Sequence, residues 1–245
     1  MWGFLTSTYP KSKTYLTEAI KDYKIKLSEE QLSQLERYFE LLCEWNEKIN
    51  LTAITDPKGV AVKHFADSLS IFNYIDVPQN ARVIDVGTGA GFPGVVLKIA
   101  RPDIQLTLLD SLQKRLNFLS VVCDELNLDA ELIHSRAEEG GQDLDLREGF
   151  DLAVSRAVAQ LNILSEYCVP YVRLSGSFVA FKGTAEGEIK AAKKAIGILG
   201  GRIKNIHTFE LPLEGGGRTL VEIEKVSPTP EKYPRQNGKI KSKPL

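Results

Sequence analysis

Apolar side chains recur every three or four positions over residues 1–79, which is the spacing of helices that bury one face. The clearest helix starts at Ser28, because Ser28 and Gln31 have the spacing of a capping box. Its apolar stripe consists of Leu32, Leu35, Phe39, Leu42 and Ile49. Asp56 followed by Pro57 predicts a second helix start, since a capping acid and a proline at the first position suit a helix N-terminus. Residues 1–79 are therefore predicted to form a helical cap.

From Ala81 onward, short apolar runs alternate with helical stretches. The candidate strands are residues 82–86, 105–110, 130–134, 150–155, 177–181, 202–209 and 218–225. The helical stretches between them are residues 92–100, 112–126, 136–140, 157–173 and 185–199. The last two strands are too close in sequence for a crossover helix, so they should form an antiparallel hairpin. Residues 80–225 are thus predicted to have an α/β fold, a Rossmann-like doubly wound sheet of seven strands with one reversed.

The chain ends in a basic tail, residues 226–245. From Lys225 onward it carries six lysines and arginines against one acid, Glu231. Two interpretations remain open: a solvated, frayed terminus, or an arm that binds phosphates and in which Tyr233 adds stacking.

Composition narrows the class of protein without naming a function. The chain has 245 residues, of which 43% are hydrophobic and 26% charged, and its formal net charge is −1. Any nucleic-acid contact must therefore come from local clusters of charge. Cys43, Cys123 and Cys168 form no CxxC pair and are expected to be reduced and packed. No signal peptide, apolar span or cluster of metal ligands is evident, so a cytoplasmic protein without a metal is the default expectation.

The stretch "VIDVGTGAGFPG", residues 83–94, follows the first strand and opens a helix. No Gly-Lys-Ser/Thr follows, which excludes a Walker A loop. Residues 89–94 formally fit GxGxxG, and Asp110 stands where a dinucleotide fold has its ribose-binding acid. A tight strand–helix turn with capping aspartates is the alternative without a ligand.

Asp85 favours S-adenosylmethionine over a dinucleotide. A carboxylate near a pyrophosphate would repel it by roughly several kcal/mol at an effective dielectric near 20. S-adenosylmethionine instead carries an ammonium and a sulfonium. On this interpretation Gly87 and Gly89 let the backbone approach the methionine end and the ribose, and Asp110 accepts both ribose hydroxyls.

Several motifs occur together in one order: "NLTAI" at residues 50–54, "KHFADSL" at 63–69, "DVGTGAGFPG" at 85–94, "LLDSLQKRLNFL" at 108–119, "SRAEE" at 135–139, "FDLAVSRAVAQL" at 150–161 and "FKG" at 181–183. From about residue 16 to its C-terminus the chain resembles the bacterial 16S rRNA guanine-N7 methyltransferases, the RsmG or glucose-inhibited division protein B family. The resemblance implies methyl transfer from S-adenosylmethionine to a guanine in the 530 loop, guanine 527 in that family. It also implies cofactor contacts at Gly87, Phe92, Ala137, Glu138 and Arg156.

The fourth strand ends in "SRAV", which lacks the motif of exocyclic-amine methylation and a cysteine for covalent attack. An N7 acceptor fits, since its lone pair is free at neutral pH and no general base is needed. The enzyme must place N7 about 3–3.5 Å from the methyl carbon and take the base out of its stack. We therefore expect no acid–base catalyst, and we place Arg156, Lys182 and His64 on the substrate side. His64 and Asp67 share a helical face, where they either line a pocket or form a pair that joins the cap to the sheet.

The expected partner is 16S rRNA, free or in the small ribosomal subunit, bound by a monomer that has no membrane contact. Two other functions remain open at this point. One is methylation of a small molecule or a protein, and the other is binding of cofactor or RNA without turnover.

Overall fold

The computed structural model describes residues 12–156 and 159–245. The N-terminal part consists of α1 (Lys13–Ala19), α2 (Glu29–Asn46), α3 (Pro57–Val60), a π-helical turn (Ala61–Ala66), α4 (Asp67–Leu69) and α5 (Ile71–Tyr74). The expectation about a signal peptide concerns residues 1–11, which lie outside the described part.

Both predicted helix starts are confirmed. The Ser28 hydroxyl accepts a hydrogen bond from the backbone N–H of Gln31, and the Gln31 side chain accepts one from the Ser28 N–H. The Asp56 carboxylate accepts one from the N–H of Gly59. The helix expected after Pro57 is interrupted by the π-helical turn, whose extra residue per turn rotates the side chains that follow. Ile49 lies beyond the end of α2.

The sheet has the predicted class and strand number. Its strands are β1 (Arg82–Val86), β2 (Gln105–Asp110), β3 (Ala130–His134), β4 (Phe150–Ser155), β5 (Val172–Lys182), β6 (Gly201–Leu211) and β7 (Gly216–Lys225). Their order is β3-β2-β1-β4-β5-β7-β6, and β7 runs antiparallel to both of its neighbours. The order reverses between β1 and β4, so the crevice for a ligand is expected at the carboxyl ends of these two strands.

The connections are α6 (Gly94–Ala100), α7 (Gln113–Leu126), α8 (Ala137–Gly140), α9 (Leu161–Cys168), a 3-10 turn (Val169–Tyr171) and α10 (Glu186–Ile198). The single helix expected over residues 157–173 is therefore split, and its first two residues lie outside the described part. The three cysteines are free and buried, as expected. No helix of the described residues has the length and hydropathy needed to cross a bilayer.

The cap and the sheet share one hydrophobic core. Tyr38 of α2 is fully buried, and its ring stacks 5.2 Å from Phe92 and 5.7 Å from Phe65 between ring centroids. Its hydroxyl donates a hydrogen bond to the carbonyl oxygen of Ala90, in the loop after β1. The cap therefore fixes the position of the glycine-rich loop.

The basic tail folds back onto the core and ends in α11 (Asn237–Ser242). The Arg235 guanidinium contacts the Glu166 carboxylate at 2.6 and 2.8 Å, and that carboxylate is only 1% exposed. Ile240 is fully buried. The frayed terminus considered from the sequence is therefore wrong.

Replacing Arg235 should lower the stability of the protein measurably, because Arg235 anchors the tail to the core. Arg235→Ala leaves the buried Glu166 carboxylate without its cation, which should lower the free energy of unfolding by about 3 kcal/mol. Urea denaturation provides the measurement. The control is Arg202→Ala, which removes the exposed pair to Glu224 and should cost less than about 1 kcal/mol. Equal effects of the two substitutions would contradict this account of the tail.

Candidate active site

The glycine-rich loop turns sharply after β1. Gly87 and Gly89 have φ of +72° and +61°, in the left-handed region that glycine adopts at little cost. The N–H groups of Gly87 and Thr88 donate to the Leu109 carbonyl oxygen at 2.8 and 3.1 Å. The Gly89 N–H donates to Asp110 Oδ2 at 2.9 Å. The turn is therefore tied to the end of the neighbouring strand β2.

Asp85 lies beneath this turn and is fully buried. Its Oδ2 accepts hydrogen bonds from the Gly94 N–H and the Thr88 hydroxyl, both at 2.8 Å. Burial raises the pKa of Asp85 to about 6, although these two hydrogen bonds oppose the shift. The expectation that its carboxylate faces a ligand directly is wrong, because the side chain lines neither cavity of the site. Asp85 fixes the turn through Oδ2, while its Oδ1 is buried and has no hydrogen-bond partner among the described residues.

One cavity of 330 Å³, here called the cofactor cavity, lies over the ends of β1, β2 and β3. Gly87, Asp110, Ala137 and Glu138 are among its lining residues. A Cβ built on Gly87 meets no atom within 4 Å, so the backbone there borders open space that a ligand can approach. The residues expected to bind a cofactor at the ends of these three strands therefore do come together.

Neighbouring groups hold the Asp110 carboxylate in an orientation in which it can accept hydrogen bonds from hydroxyl groups. Its Oδ1 accepts one hydrogen bond, from the Leu112 N–H at 2.9 Å, and Arg115 contacts Oδ2 at 3.3 Å. A carboxylate oxygen has lone pairs for more than one donor. Ala137 is also fixed in position, since its carbonyl oxygen accepts a hydrogen bond from the Tyr171 hydroxyl at 2.7 Å.

Among the residues of the cofactor cavity that sequence reasoning did not assign to it are Tyr167, Asn237 and Lys241. The Tyr167 hydroxyl donates to Asn237 Oδ1 at 2.7 Å and so joins α9 to the tail. The basic composition of the tail was visible in the sequence, but nothing local indicated that it folds over this cavity.

Phe92 does not offer a free ring face to a ligand, contrary to the expectation. Its side chain is 5% exposed. The His64 ring stacks on it at 4.5 Å between centroids, and Cζ of Arg156 lies 4.9 Å from its centroid. Phe92 therefore supports the two side chains that the sequence placed on the substrate side.

Arg156, at the end of β4, connects the sheet to the cap. Its Nη1 donates to Asp67 Oδ2 at 3.1 Å and to the Lys63 carbonyl oxygen at 3.0 Å. Arg218 of β7 donates from Nε to the other oxygen of Asp67 at 3.2 Å. The His64 and Asp67 side chains thus join the cap to the sheet through Arg156, while the bond between the two residues is a backbone one, from the Asp67 N–H to the His64 carbonyl oxygen.

His64 is neutral in this arrangement. Burial lowers its pKa to about 3, and the nearby charge of Arg156 lowers it further. His64 Nδ1 lies between a donor, Arg156 Nη2 at 3.2 Å, and an acceptor, the Lys63 carbonyl oxygen at 3.1 Å. His64 Nε2 lies 2.9 Å from the Thr52 hydroxyl, which can donate or accept, so both ring nitrogens have partners.

A second cavity of 420 Å³, here called the acceptor cavity, is lined by His64, Asp67, Arg156, Lys182, Glu188, Arg218 and neighbouring residues. Lys182 Nζ lies 2.8 Å from both the Ala159 carbonyl oxygen and Glu188 Oε2. The structure therefore brings together the three residues predicted for the substrate side. Sequence reasoning missed Glu188 and Arg218 here, since neither belongs to a motif whose chemistry is recognisable. The described residues contain no cluster of three potential metal ligands.

Comparison with known proteins gives a consistent answer. The family model described as rRNA small subunit methyltransferase G matches residues 31–215. Ribosomal RNA small subunit methyltransferase G of Desulforamulus reducens is 50% identical over 232 residues, which cover 94% of this chain and 97% of that protein. The protein of that name from Bacillus subtilis is 46% identical, with coverage of 94% and 97%. A solved methyltransferase from Pyrococcus furiosus shares the fold, with a TM-score of 0.54, 16% identity and coverage of 80% and 99%.

Adding a methyl group at Gly87 should weaken cofactor binding, whereas the same change at a glycine outside the cavity should not. Gly87→Ala places Cβ in the open space beside the turn and strains a backbone with positive φ by about 1–2 kcal/mol. We expect the Kd for S-adenosylmethionine, measured by calorimetry, to rise about tenfold or more. Gly197→Ala is the matched control, because its Cβ also meets open space but lies in α10, and its Kd should not change. An unchanged Kd for Gly87→Ala would contradict the placement of the cofactor.

Cofactor affinity should fall as the pH falls from 7 to 5. Asp85, with a pKa of about 6, loses its charge over this range and with it the attraction for a cationic ligand. The α-ammonium of the cofactor titrates above this range, near pH 8. Asp85→Asn should bind more weakly at pH 7 and show no such dependence in calorimetric titrations. An equal slope in the variant would assign the pH dependence to another group.

Proposed function

The chain belongs to the family of rRNA small subunit methyltransferase G, and we propose that the atom it methylates is N7 of a guanine in 16S rRNA, guanine 527 of the 530 loop. The chain is an S-adenosylmethionine-dependent rRNA methyltransferase with a Rossmann-like α/β fold of class I. This excludes the two other functions that the sequence left open. The acceptor atom, the nucleotide and the roles of the residues are the parts that we propose.

The observation that carries the proposal is the pair of cavities on either side of the carboxyl end of β4. The cofactor cavity is bordered by the Gly87 turn, and the acceptor cavity contains Arg156 and Lys182. When bound, S-adenosylmethionine would be held by the residues of the Gly87 turn and the cofactor cavity, and it would supply an electrophilic methyl group on a cationic sulfur.

We assign the cofactor to five positions of the cofactor cavity and its turn. Gly87 and Gly89 allow close approach of the backbone, and Asp110 accepts the ribose hydroxyls. Ala137 and Glu138 lie after β3 and face the adenine. Asp85 contributes its negative charge from beneath the turn, and the Phe92 ring holds Arg156 in place.

The side chains of the acceptor cavity orient the substrate and do not act as general bases. His64 Nδ1 is engaged by Arg156 and its Nε2 by Thr52, while both Asp67 oxygens are held by arginines. These groups are therefore unavailable as general bases, which suits N7, a nucleophile that carries no proton. Positioning the base against the methyl group is then the source of the rate enhancement.

The basic side chains around the two cavities are suited to RNA phosphates. Lys63 and Arg218 border the acceptor cavity, and Arg136 and Lys241 border the cofactor cavity. Because residues of a single chain form both cavities, we propose that the enzyme acts as a monomer. The proposed site of action is the cytoplasm, on free 16S rRNA or on the small subunit.

Transfer of labelled methyl groups tests the proposal. The purified protein is incubated with methyl-tritiated cofactor and with naked 16S rRNA, assembled small subunits or a protein extract. We expect label in RNA and, after borohydride reduction and aniline cleavage, a single break at N7-methylguanosine in the 530 loop. Label at an exocyclic amine, at another nucleotide or only in protein would contradict it.

A further inference from the structure

Glu188 is the one acidic side chain of the acceptor cavity whose carboxylate retains an unbound oxygen among the described residues. Both oxygens of Asp67 are engaged by arginines. Glu188 Oε2 accepts hydrogen bonds from Lys182 Nζ at 2.8 Å and from the Leu161 N–H at 2.9 Å, while Oε1 has no partner within residues 12–156 and 159–245. The Glu188 side chain is 30% exposed and lines the acceptor cavity.

The same two contacts make the position of this carboxylate well defined. Lys182 is 7% exposed and is held by the carbonyl oxygen of Ala159. Leu161 is the first residue of α9, so the bond to its N–H ties Glu188 to the N-terminus of that helix. A carboxylate fixed from one side and open on the other is suited to bind a ligand with two neighbouring donors.

Guanine presents such donors on the edge away from N7. Its N1–H and its 2-amino group lie side by side and can donate to one carboxylate, whereas N7 and O6 on the opposite edge are acceptors. Adenine has an acceptor at N1 and no 2-amino group. A carboxylate at this edge would therefore bind guanine and repel adenine, since an unpaired buried acceptor is costly.

The charge of Glu188 also suits the reaction. Methylation at N7 leaves the purine with a positive charge, which nearby cations destabilise and an anion stabilises. Arg156 and Lys182 are both cationic, so Glu188 supplies negative charge where the base becomes positive. An interaction that strengthens as charge develops raises kcat as well as affinity.

We propose that Glu188 is the specificity-determining residue for guanine, with Oε1 accepting hydrogen bonds from N1–H and the 2-amino group of the target base. This inference rests on the proposed function, because it requires a guanine methylated at N7. The competing explanation is that Glu188 only stabilises the N-terminus of α9.

The test removes the 2-amino group from the RNA. 16S rRNA is assembled by ligation with either guanosine or inosine at the methylated nucleotide; inosine keeps N7, O6 and N1–H. With wild-type enzyme we expect kcat/KM to fall about tenfold or more on inosine, the loss expected for one hydrogen bond to a charged group. With Glu188→Ala the two RNAs should differ less than about threefold. Glu188→Gln should lower kcat on the guanosine RNA more than it raises KM.

Controls separate this role from a structural one. The Kd for S-adenosylmethionine of each variant reports whether the fold and the cofactor cavity are intact. Glu30→Gln, an exposed acid at the start of α2, should behave as wild type on both RNAs.

Three outcomes are informative. If wild-type enzyme methylates inosine RNA as well as guanosine RNA, the inference is overturned whether or not the variants fold. An inosine penalty of equal size in wild type and Glu188→Ala also overturns it, because Glu188 then acts independently of the 2-amino group. If guanosine RNA itself receives no methyl group at N7, the proposed function fails instead.

Discussion

The structure of the site depends on a backbone turn held between two buried carboxylates. Asp85 lies next to the end of β1 and Asp110 ends the neighbouring strand β2; Asp85 accepts two hydrogen bonds from the glycine-rich loop and the helix it opens, and Asp110 accepts one. Because these bonds satisfy N–H groups that would otherwise be buried without partners, the loop has one conformation. Gly87 has a positive φ and no side chain, so its backbone borders the cofactor cavity directly. The aspartates therefore create the site by shaping the chain, and Asp85 does so from beneath the turn.

The acceptor cavity depends on the junction of the cap with the sheet. Arg156, which follows β4, and Arg218 of β7 meet on Asp67, which the cap supplies. The π-helical turn just before Asp67 contains His64, and an extra residue in a helical turn re-aims the side chains around it. Since Phe92 packs against His64 and Arg156, the cofactor turn and the acceptor cavity share one set of contacts. The two halves of the site are thus joined by direct packing contacts at Phe92.

The sequence predicted the parts of the fold that depend on local periodicity. The seven strands, the terminal hairpin and the caps at Ser28 and Asp56 were all found from apolar spacing and capping residues. It could not predict the π-helical turn, because the amino acids of a π-turn are also those of an ordinary helix. It also missed the packing of the tail, which depends on the distant pair of Arg235 and Glu166. For Asp85 and Phe92 the sequence indicated the correct location but the wrong orientation, since burial depends on neighbours far along the chain.

A crystal structure with S-adenosylhomocysteine tests the central claim most directly. The account predicts that the homocysteine lies along the Gly87 turn, with the ribose hydroxyls on Asp110 and the adenine beside Ala137 and Glu138. It also predicts that the Asp85 carboxylate remains beneath the turn. Binding of the nucleoside in the acceptor cavity beside Lys182, or a preference of the turn for the pyrophosphate of NAD in a competitive soak, would contradict it.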